Sequence, residues 1–261
     1  MNGFAAALWS EALKARRSRA PWASALGLAL GPLVGGLFML ILKDPTWARR
    51  FGLITAKAQL MAGTADWPTY VALLAQMVAV GGTVVFGLVA VWIFGREYGD
   101  RTVTGLLALP TARVTIVAAK FVVVALWSAA LAVLVAGLGL VVGAAIGLPG
   151  WSSGLVPHAV ARLALTAALA IALIPPVALA ASAGRGYLPP IGVMFLAIFL
   201  AQVVAALGWG AYFPWSVPAL AAGVAGPGLR DLGPESYLLV ALTGLAGIGG
   251  TAAWWCLADQ V

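Results

Sequence analysis

The residue types best able to do chemistry are few and scattered. Gly150-Trp151-Ser152-Ser153-Gly154 matches G-x-S-x-G, and the single histidine, His158, follows closely. A serine nucleophile needs a strand–turn–helix elbow and a base held from elsewhere in the fold. One short turn carrying both provides neither, so a plain turn is the better reading than a hydrolase. One His, one Cys and eight scattered Asp or Glu form no metal-ligand pattern. A phosphate-binding loop needs Gly-Lys-Ser/Thr, so that backbone amides and the lysine hold the phosphates. Lys14, Lys43, Lys57 and Lys120 are the only lysines, and none follows a glycine. If the chain depends on ATP and magnesium, another chain must bind them.

The elements that carry these residues are set by composition. The 261 residues include only 15 Lys or Arg and 8 Asp or Glu, 9% charged, against 63% apolar. A soluble domain carries about 25% charged residues. A single soluble globule is excluded, and so is a disordered chain, which needs low hydrophobicity. The solvent for most of this chain is lipid.

The charges cluster, and the charge-free runs 20–42, 67–95, 121–161, 163–184, 186–229 and 236–258 are each long enough to cross a bilayer. Turn chemistry at 148–154 ends one helix before the next begins near Pro157. The reading is all-α, a single polytopic domain over 1–261 with six spans at about 21–42, 70–95, 113–147, 157–182, 189–213 and 236–257. The apolar remainder 215–229 holds Pro218 and Pro227 and is too short to cross easily, so it reads as re-entrant or surface-lying.

An even count puts both termini on one side. Nine Lys or Arg (14, 16, 17, 19, 96, 101, 113, 120, 185) fall on the side of the termini and six (43, 49, 50, 57, 162, 230) on the other. The positive-inside rule then makes both termini cytoplasmic. The net charge of +7 reflects topology and anionic lipid rather than nucleic acid, which needs a basic soluble face. The first apolar run lacks a cleavage pattern and reads as a retained span. Cys256, alone in the last helix, forms no disulfide.

Three segments outside the spans carry information. In residues 2–19, Phe4, Ala5, Leu8, Trp9 and Ala12 share one helical face, with Ser10, Lys14 and Arg17 opposite. That pattern fits an interfacial amphipathic helix, or a plain anchor for the first span. Residues 47–60 mix cations with Phe51, Leu53, Ile54 and Leu60 and fit a second interfacial helix. Residues 96–112, with Arg113, hold five of the 23 charges. They are long enough for a short helix ended by Pro110, which is either a docking surface for a soluble partner or a solvated loop.

Inside the spans, ionisable groups are nearly absent, which argues against ion-coupled transport. Gln76, Thr83, Ser128, Thr166, Gln202 and Thr243 read first as interhelical hydrogen bonds, and Gln76, Thr83 and Gln202 are the pathway candidates. Pro175-Pro176 should kink the fourth span. Gly139, Gly143 and Gly147 repeat the small-residue spacing of close helix packing, within the chain or between subunits.

Residues Phe94-Gly95-Arg96-Glu97-Tyr98-Gly99-Asp100-Arg101-Thr102, then Leu106 to Arg113, then Lys120, resemble the E-x-x-x-x-T, P-x-x-R, K pattern of ABC-2 type transporter permeases. Glu11-x-x-Lys14-x-Arg16-Arg17-Ser18 before the first span is similar as well. The resemblance implies the membrane subunit of a bacterial ATP-driven exporter, without a nucleotide site of its own. It implies an ATP-binding cassette partner that holds ATP and magnesium, and a second permease copy or paralogue. It makes about 96–110 a cytosolic coupling helix, with Glu97, Asp100, Arg101, Thr102, Pro110 and Arg113 directed to the ATPase. It places the substrate path between permease halves, beside the second and fifth spans, in the cell membrane. The competing readings are a stand-alone six-helix channel or secondary transporter, and a membrane enzyme or scaffold.

Overall fold

The computed structural model of the protein describes residues 3–44, 64–108, 110–152, 154–224 and 232–257. The interfacial helix expected at 47–60 lies outside them. Among the described residues all regular structure is helical. The helix α1 (Gly3–Arg17) precedes α2 (Ala20–Lys43), α3 (Trp67–Gly99), the short α4 (Val103–Leu107) and α5 (Arg113–Ile146). Then come α6 (Leu155–Ala183), α7 (Leu188–Ala206), the short α8 (Val217–Ala221) and α9 (Pro234–Leu257). Six of these are long and apolar enough to cross a membrane: α2, α3, α5, α6, α7 and α9.

The helix ends sort into two groups, as alternating spans require. Lys43, at the end of α2, donates to the carbonyls of Ile146 (2.7 Å) and Gly147 (3.0 Å), at the end of α5. The Trp67 amide, at the start of α3, donates to Pro149 at 3.0 Å. At the opposite end, Arg113 donates to the carbonyls of Trp255 (3.0 Å) and Cys256 (3.4 Å). Each of these cations sits where a helix C-terminus leaves carbonyls unpaired and carries partial negative charge. Two of the scarce cations are thus spent on helix ends.

Lipid provides no hydrophobic drive between helices, so small residues and close packing must hold the bundle. Gly36 lies on Val142, Gly139 on Leu74, and Gly143 on the Trp67 ring, each so close that a Cβ would collide. The Gly139/Gly143 spacing thus packs α5 on α3 within the chain, and Gly147 (φ 64°) closes α5 in the left-handed region. Asp66 caps α3 by accepting the Thr69 amide at 2.9 Å. The Pro175-Pro176 kink interrupts α6 after Ala172. There α9 seats Gly244 against the Ala172 carbonyl and Gly247 against the Pro175–Pro176 peptide. Helices α3 and α6 form the centre, with Tyr70, Phe86 and Phe94 fully buried.

Two expectations change. The fifth span ends at Ala206 rather than at 213, because Gly208 (φ 86°) turns the chain and the Trp209 amide reaches back to Val204 at 3.1 Å. The intramembrane threonines do not bridge helices. Thr83, Thr166 and Thr243 each donate to the carbonyl four residues back in their own helix, at 2.6–2.8 Å.

Candidate functional site

The segment expected to be one helix over 96–110 is two pieces. Residues through Gly99 complete α3, and α4 contributes only Val103–Leu107, ending before Pro110. The break is chemical. Arg101 adopts φ 54°, its amide donates to Tyr98 (3.2 Å), and the Thr102 amide donates to Glu97 (2.9 Å). That is the helix-terminating pattern normally closed by glycine. Arg185, between α6 and α7, repeats it at φ 52°, with its amide on Ser182 and the Gly186 amide on Ala181. At the opposite end of the bundle the same left-handed position is filled by Gly147, Gly208 and Gly223. A left-handed non-glycine residue costs about 1–2 kcal/mol. The two connections on the α1 side thus each keep an arginine at a position where glycine is cheaper. They also touch each other: the Tyr187 ring lies against Gly99, and the Gly186 carbonyl against Gly95.

Beneath this turn lies a cluster of four charges, of which Glu11, Glu97 and Lys120 are buried and Lys14 is partly exposed. Lys120, two turns into α5, is 0% exposed. Its ammonium donates to Glu97 (2.9 Å), to Glu11 (3.0 Å) and to the Ile93 carbonyl (3.2 Å). Lys14 donates to both Glu11 and Glu97 at 2.8 Å. The Thr102 hydroxyl donates to the second Glu97 oxygen at 2.6 Å. Two carboxylates and two ammonium groups cancel, which is the condition under which buried charges are tolerated. Burial pulls the Lys14 pKa down, but the hydrogen bonds and charges of Glu11 and Glu97 outweigh it and leave Lys14 above its ordinary value. The cluster joins α1, the end of α3, the turn before α4, and α5.

The expected coupling residues therefore divide. Glu97 is 3% exposed and faces inward to the lysines rather than to the surface. Arg113 is half-buried and holds the end of α9. Asp100, Arg101, Thr102, Thr104, Gly105 and Pro110 form the exposed rim. Asp100 pairs with Arg96 at 3.0 Å, and the Arg96 guanidinium lies 5.2 Å from the centre of the Trp92 ring. Nothing in the sequence pattern joins the inward partners Glu11, Lys14 and Lys120 into one site, although all three belong to the segments that carry the family resemblance.

A second feature lies deeper in the bundle. A cavity of about 220 Å³ opens between α3, α7 and the segment after α7. Thr83, at the midpoint of α3, and Gln202 of α7 line it, with Trp215 and Ser216 opposite. No ionisable side chain is among its lining residues. Its α3 wall includes Ala79 and Val80 from a π-helical turn, Val78–Gly82, within which Gly81 and Gly82 weaken the helix. Such π turns concentrate at functional sites. Gln76 stands apart from the cavity and donates to the Gly223 carbonyl at 3.3 Å. Arg162 donates to the neighbouring Ala222 carbonyl at 2.6 Å. Both hold the C-terminus of α8, so the apolar segment after α7 folds back as short helical turns against the bundle.

The Ser152 and His158 pair does not assemble. The Ser152 carbonyl accepts the Leu155 amide at 3.0 Å, and His158 Nδ1 donates to the Gly154 carbonyl at 2.7 Å. Both serve the start of α6.

Comparison with known proteins adds a family. The family model described as ABC-2 family transporter protein matches residues 7–201, which include all four members of the ion cluster. The chain is 26% identical over 176 residues to the bacitracin transport permease protein BCRB of Bacillus licheniformis, covering 67% of this chain and 83% of that protein. No solved structure matches.

Proposed function

Because the chain belongs to the ABC-2 family of transporter proteins, as a multi-pass permease, we propose that it is the membrane subunit of an ATP-driven exporter. A separate ATP-binding cassette subunit holds ATP and magnesium and docks on the exposed rim of Asp100, Arg101, Thr102, Thr104 and Pro110. The observation that carries this reading is the linkage beneath the rim. Thr102, Glu97, Lys120, Glu11 and Lys14 form an unbroken chain of hydrogen bonds and ion pairs of 2.6–3.0 Å. A force on the turn reaches α3, α5 and α1 together through these contacts. Glu97 and Arg113 act from within, holding the rim to α5 and α9, instead of touching the motor.

Substrate passes along the cavity wall formed by α3 and α7, where Thr83 and Gln202 offer neutral polar groups in an apolar lining. Gln76 positions the cap at Gly223. Two permease copies, or this chain and a paralogue, enclose the path, and both termini lie in the cytoplasm. The similar bacitracin permease supports an amphipathic cargo of the peptide-antibiotic type. The test is reconstitution with the cognate ATPase. Thr83→Val and Gln202→Leu should change transport without weakening ATPase binding, whereas Asp100→Lys with Arg101→Glu should weaken binding. Intact binding and transport in the charge-reversed rim variant would remove the docking assignment.

A further inference from the structure

We infer that the groove between α1 and α5 is a binding site for an anionic phospholipid. The groove encloses about 590 Å³, with Trp9, Ala12 and Arg16 of α1 on one wall and Val123, Trp127 and Ala130 of α5 on the other. Its depth in the membrane is fixed by Trp127, whose ring nitrogen donates to Ser24 at 3.2 Å, one turn inside α2. Trp9, on the groove wall, and Trp22, in the first turn of α2, are 66% and 74% exposed, as side chains of an interfacial aromatic belt are. The groove therefore lies at the membrane boundary on the α1 side, the inner leaflet in the orientation proposed above.

The chemistry of the walls selects the occupant. Small side chains, Ala12 and Ala130, open a channel wide enough for an alkyl chain, and Arg16 is the one charged residue lining it. Arg16, Arg17 and Arg19 are exposed, and none forms an ion pair with a described residue. Lys14, on another face of the same helix, is instead committed to Glu11 and Glu97. An acyl chain in the groove with its phosphate at Arg16 satisfies both the apolar walls and the unmatched cations. Clustered cations at a membrane boundary attract anionic lipid in this way. The lipid then braces α1 from one side while the ion cluster holds it from the other, so lipid occupancy and the turn at 100–102 act on one helix. The inference requires the membrane setting and does not require the ATP-driven reading.

The test uses the full chain in phosphatidylcholine nanodiscs. Each preparation contains the same small mole fraction of phosphatidylglycerol or phosphatidylcholine carrying an identical photoreactive acyl chain. Adducts are mapped to peptides spanning 5–16 and 121–130. Phosphatidylglycerol should label both peptides about fivefold more strongly, the effect of about one arginine at an anionic surface. Arg16→Gln should bring the two lipids close together. Ala12→Trp fills the groove at an exposed position and should abolish labelling by both, with the protein still monodisperse. Equal labelling by the two lipids in the unaltered protein means an ordinary annular lipid and overturns the inference. Labelling that survives Ala12→Trp overturns it as well. Absence of any adduct means that protein, such as a second copy of the chain, covers the groove, and this also refutes it.

Discussion

Replacing Lys120 by methionine probes the ion cluster most directly. The ammonium is fully buried and touches two carboxylates at 2.9 and 3.0 Å, themselves only 3% and 5% exposed. At an effective dielectric of about 20, each contact is worth roughly 5–6 kcal/mol before desolvation is subtracted. The methionine keeps the volume but leaves Glu11 and Glu97 sharing Lys14 alone, with one net negative charge in the bundle. Removing one partner of a buried ion pair costs about 3–5 kcal/mol. At about 2–4 °C per kcal/mol, the Tm should fall by roughly 6–20 °C. Adding Glu97→Gln restores charge balance, since Glu11 and Lys14 remain paired, and should recover part of the loss. Thermal unfolding followed by tryptophan fluorescence in nanodiscs reads all four corners of the cycle. A Lys120→Met shift under about 2 °C, or a double variant no better than the single, would refute the balanced-cluster argument.

Four other outcomes follow from the same geometry. Arg101→Gly should raise stability by about 1 kcal/mol by relieving the left-handed backbone, while ATPase capture falls; a calorimetric Tm and a pull-down measure the two effects. Gly143→Leu drives a side chain into the Trp67 ring and should cost about 1–3 kcal/mol or more, seen as loss of monodisperse protein in size-exclusion chromatography. Asp66→Ala removes the cap of α3 and should cost about 1 kcal/mol at neutral pH, read as a lower Tm. Burial raises the Asp66 pKa, but its hydrogen bonds from Thr64 and Thr69 outweigh that and lower it below the ordinary 3.8. Its contribution is therefore present above that value and lost as pH falls through the lowered one, so the Tm difference should close on acidification.

Much of the fold can be read from where charge is missing. The bare runs coincide with α2, α3, α5, α6, α7 and α9, and Pro175-Pro176 marks the kink in α6. The shortened fifth span is also present in the sequence, as Gly208 before Trp209, but a single glycine in an apolar run does not by itself declare a left-handed turn. The ion cluster is hidden for a different reason. Lys14 meets Glu97 across 83 positions, and Lys120 meets Glu11 across 109. No local pattern can announce such pairs. The family resemblance directs Glu97 to the ATPase together with Asp100 and Arg101, yet only the latter two are exposed. One turn of helix separates a side chain facing the bundle from one facing water. Thr83 and Gln202 were legible as polar residues in apolar spans. Their shared cavity depends on a π turn and a folded-back segment that periodicity does not reveal.

In the proposed reading, the ATPase docks on the turn between α3 and α5. A photoreactive amino acid at exposed Thr104, compared with one at Trp151 (54% exposed, at the opposite end of the bundle), tests it in native membranes. An adduct is expected from position 104 alone, to a protein with a phosphate-binding loop and ATPase activity, formed less readily when Asp100 and Arg101 are charge-reversed. An ATPase adduct from position 151 instead of 104 would contradict it, as would substrate flux in liposomes from this chain alone without ATP.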